Sequence, residues 1–349
     1  MRHKIKSFLS QLQAALLQAP RASGLHRALL TSLGIGVILT FLIGFYWSRE
    51  PVQFDVTSNV NQRLVESGFE AVTGSVTAAA LIGVAETLLK KPGGYLSNDV
   101  MPPGVYLDNI PSWEFGALVQ VRDLSRAFRE NFSRSQSQST EDADLIVAEP
   151  NFNFNNGSWI FPPSELEYRE AIDRVTSYLL RITDPENADA QFFARADNLA
   201  AWLLNVESRL GSLSQRLSAS VGRVRVRPDT AVGLSARQSD VEAGEVGVQT
   251  PWFQVDNVFY EARGATWALI HFLRAVAIDF DRVLTDKNAV ASLEQIIKEL
   301  EGSQRAVFFP IILNGSGFGL FANHSLTMAN YVSRANAAII DLRNLLAQG

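Results

Sequence analysis

Twenty consecutive residues without a charge, Ala28 to Trp47 (ALLTSLGIGVILTFLIGFYW), constrain this chain more than any other feature. At about 1.5 Å per helical residue the run is roughly 30 Å long, the thickness of a bilayer's hydrocarbon core. Lipid satisfies no backbone hydrogen bonds, so the segment is predicted to be a helix. Tyr46 and Trp47 close it where interfacial aromatics belong. A cleaved signal peptide would have an apolar core of about 7–15 residues ending in a small-x-small site. Here bulky Tyr46 and Trp47 lead instead into Ser48-Arg49-Glu50-Pro51, the pattern of an uncleaved signal anchor.

Charge sets the expected orientation. Residues 1–27 carry Arg2, Lys4, Lys6, Arg21 and Arg27 and no acid, while the 302 residues after Trp47 hold 26 basic and 36 acidic groups. A basic flank ahead of a span stays in the cytoplasm. The reading is a cytoplasmic leader at 1–27, a transmembrane anchor at 28–47 in the inner membrane, and a periplasmic domain at 48–349. Phe8, Leu9, Leu12, Leu16 and Leu17 recur near helical spacing in the leader, which suits an anionic membrane surface. The absence of cysteine fits an oxidising compartment and excludes disulfides, thiol nucleophiles and cysteine-based metal sites. The formal charge of −5 gives no overall basic excess for nucleic acid. A second uncharged stretch, Ala71 to Ala85, is too short and too rich in small residues for an ordinary span and reads as a close-packed helix. Were it to cross back, the large domain would be cytoplasmic.

Beyond the anchor, periodicity predicts helices over about 58–90, 112–131, 164–182, a segment ending near Val221, 251–284, 288–301 and 325–347. Trp113, Leu118, Val121, Leu124 and Phe128 share one face of the second. Residues 92–111 and 133–163 read as irregular. Ser164-Glu165-Leu166-Glu167 has the form of a capping box, and Thr250-Pro251 of a helix start. Residues 222–250 read as an exposed, mobile loop, with a short strand pair near Val224-Arg225-Val226. The fold class is all-α, a multi-helix bundle with long irregular loops behind one transmembrane helix.

Five strings carry a resemblance: Asp108 to Gly116, Ser133 to Ser139 with the acidic run after it, Arg209 to Leu217, Phe259 to Gly264, and Asn314 to Gly319. Together they resemble a proteobacterial family catalogued as domain of unknown function 2333, over nearly the whole chain. The resemblance implies a bacterial inner-membrane protein with one N-terminal span. It implies no reaction, ligand or catalytic residue.

Few residues invite chemistry. The glycine-rich Gly315 to Gly319 lacks the βαβ unit of a dinucleotide site and the Lys-Ser/Thr ending of a P-loop, and reads as a tight turn. His271 lies in an apolar helix, which favours a hydrogen-bonded core histidine over a metal ligand. His324 and Ser325 are explained by a helix cap at Asn323 or Ser325. No cofactor or metal is expected. Asp99, Asp108 and Glu114, near Tyr95, Tyr106 and Trp113, are the candidate acid pair of a glycan-cleaving site. Solvated or capping acids are the plainer explanation. Arg209, Arg216 and Arg223 recur every seven residues and would form one helical stripe, facing an acidic partner, a lipid headgroup or an internal ion-pair seam.

The expected function is that of a non-enzymatic envelope scaffold binding a protein partner through Arg209, Arg216, Arg223 and Trp113. A protein acting on or binding peptidoglycan through residues 95–116 is the alternative, and a ligand sensor working through a membrane partner is a third.

Overall fold

The computed structural model describes residues 24–65, 67–135, 139–186, 189–225, 246–306, 312 and 322–348. The chain divides into two compact units, Met1–Tyr46 and Trp47–Gly349. In the first, a single helix, α1 (Gly24–Trp47), contains the uncharged run, long and apolar enough to cross a membrane. Its described side chains are mostly exposed, as an apolar surface meant for lipid would be. The leader's amphipathic pattern and the Gly315–Gly319 turn lie outside the described residues.

The second unit is a helical bundle of α2 (Val56–Val65), α3 (Ser75–Lys90), α4 (Asn109–Ala127), α5 (Ala143–Phe152), α6 (Ser164–Thr183), α7 (Ala196–Ser218), α8 (Val255–Asp279), α9 (Asp281–Asp286), α10 (Val290–Ser303) and α11 (His324–Ala347). Two three-residue strands, β1 (Arg223–Arg225) and β2 (Val246–Val248), pair antiparallel between α7 and α8. The predicted mobile loop is therefore closed at its base, and its residues 226–245 lie outside the described ones.

Helix α8 is the axis. Its residues Ala262 to Leu273 are buried without interruption, so the helix is enclosed on every side rather than amphipathic. Burial on that scale demands partners for polar groups, and Arg263, Thr266 and His271 have them, whereas the Trp267 indole N–H has none among the described residues. Thr266 receives Ser303 Oγ at 3.0 Å and Gln304 Nε2 at 2.7 Å. Arg263 donates Nε to Glu50 at 2.6 Å and Nη1 to the carbonyls of Ser303 and Arg305. His271 donates from Nδ1 to the Trp267 carbonyl at 2.8 Å, while its Nε2 accepts the Phe54 N–H at 3.1 Å. The second contact fixes the tautomer: Nε2 is the acceptor, so Nδ1 carries the proton. Residues 50–54 are thereby fastened along α8, Glu50 at Arg263 and Phe54 against Trp267 and His271.

Helix α4 packs beside α8 with the same direction. Asp108 lies within electrostatic reach of Asp256, Trp113 touches Gly264 and Trp267, and Phe132 meets Phe280. The crossing depends on two glycines. A Cβ on Gly116 would overlap the Glu261 carbonyl, and one on Gly264 would overlap the Trp113 carbonyl. Helix α6 also runs this way, with Tyr168 against Tyr95 and Tyr178 against Phe128. Helix α3 runs oppositely: Thr77 donates to Asp279 through its amide (2.7 Å) and hydroxyl (2.6 Å), and Gly83 faces Phe54. Helices α4, α6 and α8 thus begin at one end of the bundle, where α3 finishes.

Several local readings need correction. The predicted helix over 58–90 is two helices, because Gly68 and Gly74 take positive φ between them. The region 133–163 is not wholly irregular. Its acidic run caps α5, with Asp142 Oδ1 accepting from the amides of Asp144 and Leu145. Ser164 is no capping-box serine. It is the first helical residue, and its hydroxyl donates backward to the carbonyls of Asn155 and Ser158. Thr250 likewise donates to the Arg216 carbonyl, and a 3-10 turn, Trp252–Gln254, precedes α8. The second uncharged stretch agrees with its reading as a close-packed helix, since from Ser75 onward it lies in α3, 16 residues buried along most of their length. Asn323 caps α11 through the Leu326 amide.

Two outcomes follow from this packing. Gly116→Ala or Gly264→Ala should each destabilise the full chain by about 1–3 kcal/mol, since the obstructing atoms are backbone and yield little. Urea unfolding in detergent reads this, and an unchanged midpoint would refute the close crossing. Burial holds the His271 imidazole down to about 4. Unfolded histidine protonates near pH 6.5, so acidification from 6.5 to about 4 favours the unfolded state. Stability present above that window should fall by up to about 3 kcal/mol across it. His271→Gln, which keeps an acceptor for Phe54, should flatten that slope.

Candidate functional site

Helices α4, α7 and α8 leave a groove of about 430 Å³ between them, within the size range of small-ligand and peptide sites. Its floor is made by Gly116 and Ala265, where the α4–α8 crossing brings backbone close to the surface. One wall is α7, presenting Arg209, Ser212 and Arg216 at the spacing of two helical turns. The facing wall is the outer side of α4, with Phe115, Val119 and Gln120.

Both arginines are tied to carboxylates of the opposite helices. Arg209 donates Nε and Nη2 to Asp123 at 2.8 and 3.1 Å, and Arg216 donates Nη1 to Glu261 at 2.6 Å and Nη2 to its other oxygen. These bonds raise both guanidinium groups further above their usual range. The pairs are asymmetric. Asp123 is only 5% exposed and Glu261 17%, whereas Arg209 and Arg216 are 50% and 42% exposed. The acids are covered and the cations face outward, so the groove presents positive donors although its ion pairs are balanced. Planar guanidinium forks in that setting suit carboxylates and other oxyanions.

Gln120 supplies the feature that the fold itself does not account for. Its side chain is 2% exposed and lines the groove, and its Oε1 is buried without a hydrogen-bond partner among the described residues. An unpaired buried amide oxygen costs about 1–3 kcal/mol. A ligand carrying an N–H or O–H at this point would recover that cost.

The residues singled out in the sequence fall in different places. Arg209 and Arg216 meet in this groove. Arg223 does not join their stripe, because α7 stops at Ser218 and the chain turns at Gly222, with φ of 80°, into β1. Trp113 is fully buried against Trp267 and offers no surface to a partner. Glu114 is sealed too. It pairs with Lys91 at 2.5 Å and accepts from the amides of Leu96 and Ser97 and from the Ser97 hydroxyl, clamping the loop after α3 onto α4. Burial pushes its carboxyl up, while Lys91 and these hydrogen bonds pull the other way. Asp99 stays in the loop near Glu165, and burial and that neighbour raise its carboxyl. Asp108 is exposed and faces Asp256. Lys91 is thus a charged neighbour of both Glu114 and Asp99 while Asp108 faces Asp256, and no hydrogen bond joins any two of the three acids among the described residues. His271 is a hydrogen-bonded core residue. Among the described residues no cluster of three or more metal-ligating side chains occurs.

Gln120, Phe115 and Glu261 were not singled out from the sequence. Gln120 and Phe115 are signalled by a pair of exceptions to one helical pattern, since in α4 a glutamine occupies the apolar face beside Ala117, Val121 and Leu124 and a phenylalanine leaves it, whereas nothing in the sequence marks Glu261.

A family model described as "Uncharacterized protein conserved in bacteria (DUF2333)" matches residues 21–349. No curated protein and no solved structure matches the chain.

Replacing Gln120 with leucine removes the unpaired oxygen while keeping the apolar stem. Gln120→Leu should therefore leave the unfolding midpoint unchanged or raise it, by up to about 1 kcal/mol. A loss of stability in the same denaturation measurement would mean that the amide is satisfied within the fold.

Proposed function

We propose that this chain, which belongs to the bacterial family DUF2333, is a membrane-anchored binding protein whose helical domain captures an acidic segment of a partner protein in the groove between α4, α7 and α8. The observation that carries this reading is Gln120, whose Oε1 is buried beside two outward-facing arginines without a hydrogen-bond partner among the described residues. A peptide fits the three parts together. Its backbone N–H satisfies Gln120, its carboxylate side chains meet Arg209 and Arg216, and an apolar side chain covers Phe115.

The anchor in this proposal is the helix over Ala28–Trp47, uncleaved and crossing the inner membrane. The basic leader stays in the cytoplasm by the positive-inside rule, and residues 48–349 form the periplasmic domain. A binding role, rather than catalysis, is supported by the fate of the candidate acids. Glu114 is sealed by its clamp, and Asp99 and Asp108 are not paired with it or with each other.

A photo-crosslinking amino acid at Val119, in the wall of the groove, tests the capture directly in cells. It should give a discrete crosslinked partner band that disappears in Arg209→Ala/Arg216→Ala. Arg209 and Arg216 are about half exposed but their carboxylate partners are largely covered, so the double variant costs more than two surface ion pairs. Its fold is checked by circular dichroism before the band is read. A band that persists at full intensity in the folded double variant would remove the arginines from the binding site, and no band at all would remove the groove.

A further inference from the structure

The end of the bundle at which α4, α6 and α8 begin carries an unusual concentration of exposed apolar side chains. Met101 and Tyr106 lie in the loop before α4, Trp159 and Phe161 in the loop before α6, and Trp252 and Phe253 in the turn before α8. Phe161 is 90% exposed, Phe253 86% and Tyr106 76%. Large aromatic rings rarely stand free in water without a binding role. Phe161 is also held at a φ of 55°, a left-handed conformation that a bulky residue adopts at a cost and that no internal packing of its ring repays.

These loops are held together rather than loose. Asn98 donates to the Ser158 carbonyl and to Glu165, both at 2.8 Å, and the Tyr95 hydroxyl reaches the Asn156 carbonyl at 3.2 Å. Gly104 lies directly against the Asp99 side chain. The two aromatic loops before α4 and α6 therefore form one ordered surface.

The position of Trp47 identifies what this surface meets. Trp47 is the last residue of the uncharged run and the first of the bundle, and its indole packs on Gly93, in the loop that continues to Met101 and Tyr106. From there the chain runs up α8, past Arg263 to His271. The chain thus joins the bundle at the end that bears the exposed rings. We infer that this end, through Tyr106, Phe161, Trp252 and Phe253, docks into the interfacial zone of the same bilayer that the Ala28–Trp47 helix crosses. The inference rests on that helix being a span. Trp and Tyr are suited to such a site because one end of each ring system is apolar and the other hydrogen-bonds with headgroups and water. The charges at this end include the acids Asp99, Asp108, Glu165 and Asp256, while Lys90 and Lys91 are paired with Glu86 and Glu114, so attraction to anionic lipid does not drive the contact. It is apolar insertion, and added salt should not weaken it.

The absence of cysteine allows single-site labelling of the full chain. The fluorophore NBD would be attached at Ile38→Cys within the run, at Ile160→Cys and Gln254→Cys beside the rings, and at Ile278→Cys, exposed at the far end of α8. Each protein is reconstituted in phosphatidylethanolamine–phosphatidylglycerol vesicles, with and without brominated acyl chains. Labels at 160 and 254 should be quenched roughly threefold more than the label at 278, as insertion by about 5–10 Å requires. Phe161→Ser/Phe253→Ser should bring them down to the level at 278. If 38 is quenched but 160 and 254 match 278, the docking is overturned while the span stands. An unquenched 38 overturns the span itself. Blue-shifted emission at 160 and 254 without bromolipid quenching would overturn the lipid assignment in favour of a protein covering the rings.

Discussion

The architecture depends on the contact between Gly116 and Gly264. Two helices that touch backbone to backbone have little freedom to slide or rotate, and here they also share direction although three helices separate them in the chain. The shared direction requires the intervening segments, residues 128–254, to return the chain to the end from which it started. Helix α6 is laid down beside the pair in the same sense, and α7 closes its outer side through the Arg209–Asp123 and Arg216–Glu261 pairs. The groove is a consequence of that arrangement. Because the crossing admits no side chain on its floor, the walls stand higher than the floor and leave a concavity.

A second constraint is the fastening of residues 50–54 to the most buried helix. Arg263 is nearly inaccessible, and leaving such a cation without Glu50 and two carbonyls would cost several kcal/mol. Several buried polar contacts of α8 accompany this fastening: Arg263 with Glu50, His271 with Phe54, Thr266 with Ser303 and Gln304. Apolar packing tolerates alternatives, but a buried cation and a buried imidazole do not. They fix where the lead-in segment lies, and so where the chain enters the domain.

Much of this was legible in the sequence, and the parts that were not share a cause. Helix positions followed from periodicity, and the buried faces of α4 and α8 followed from Trp113, Leu118, Val121, Trp267, Ile270 and Leu273. Helical neighbours did not, since periodicity reports a face and not what lies against it. Glu114 illustrates the gap: in a loop-rich, aromatic neighbourhood it resembles a catalytic acid, and only its contact with Lys91, far from it along the chain, shows it to be a clamp. Arg223 fell outside the expected stripe because a glycine at positive φ ends the helix first. Serine and threonine misled in a related way. Ser164 and Thr250 occupy positions typical of caps, yet each donates to a carbonyl of another segment, a role that no local spacing encodes.

The common direction of α4, α6 and α8 has an electrostatic consequence. Each helix places the equivalent of roughly half a positive charge at its first turn, and in antiparallel bundles these partial charges largely cancel. Here the starts of α4, α6 and α8 lie at one end of the domain, offset in part by the finishing turns of α3 and α7, which run the other way. The acids gathered there, Asp108 before α4, Glu165 and Glu167 in the first turn of α6, and Asp256 in the first turn of α8, are their counter-charges. What reads along the sequence as scattered acidity in loops is, in three dimensions, a set of acids placed at the starts of three helices that share a direction, each offsetting part of its own helix's terminal charge.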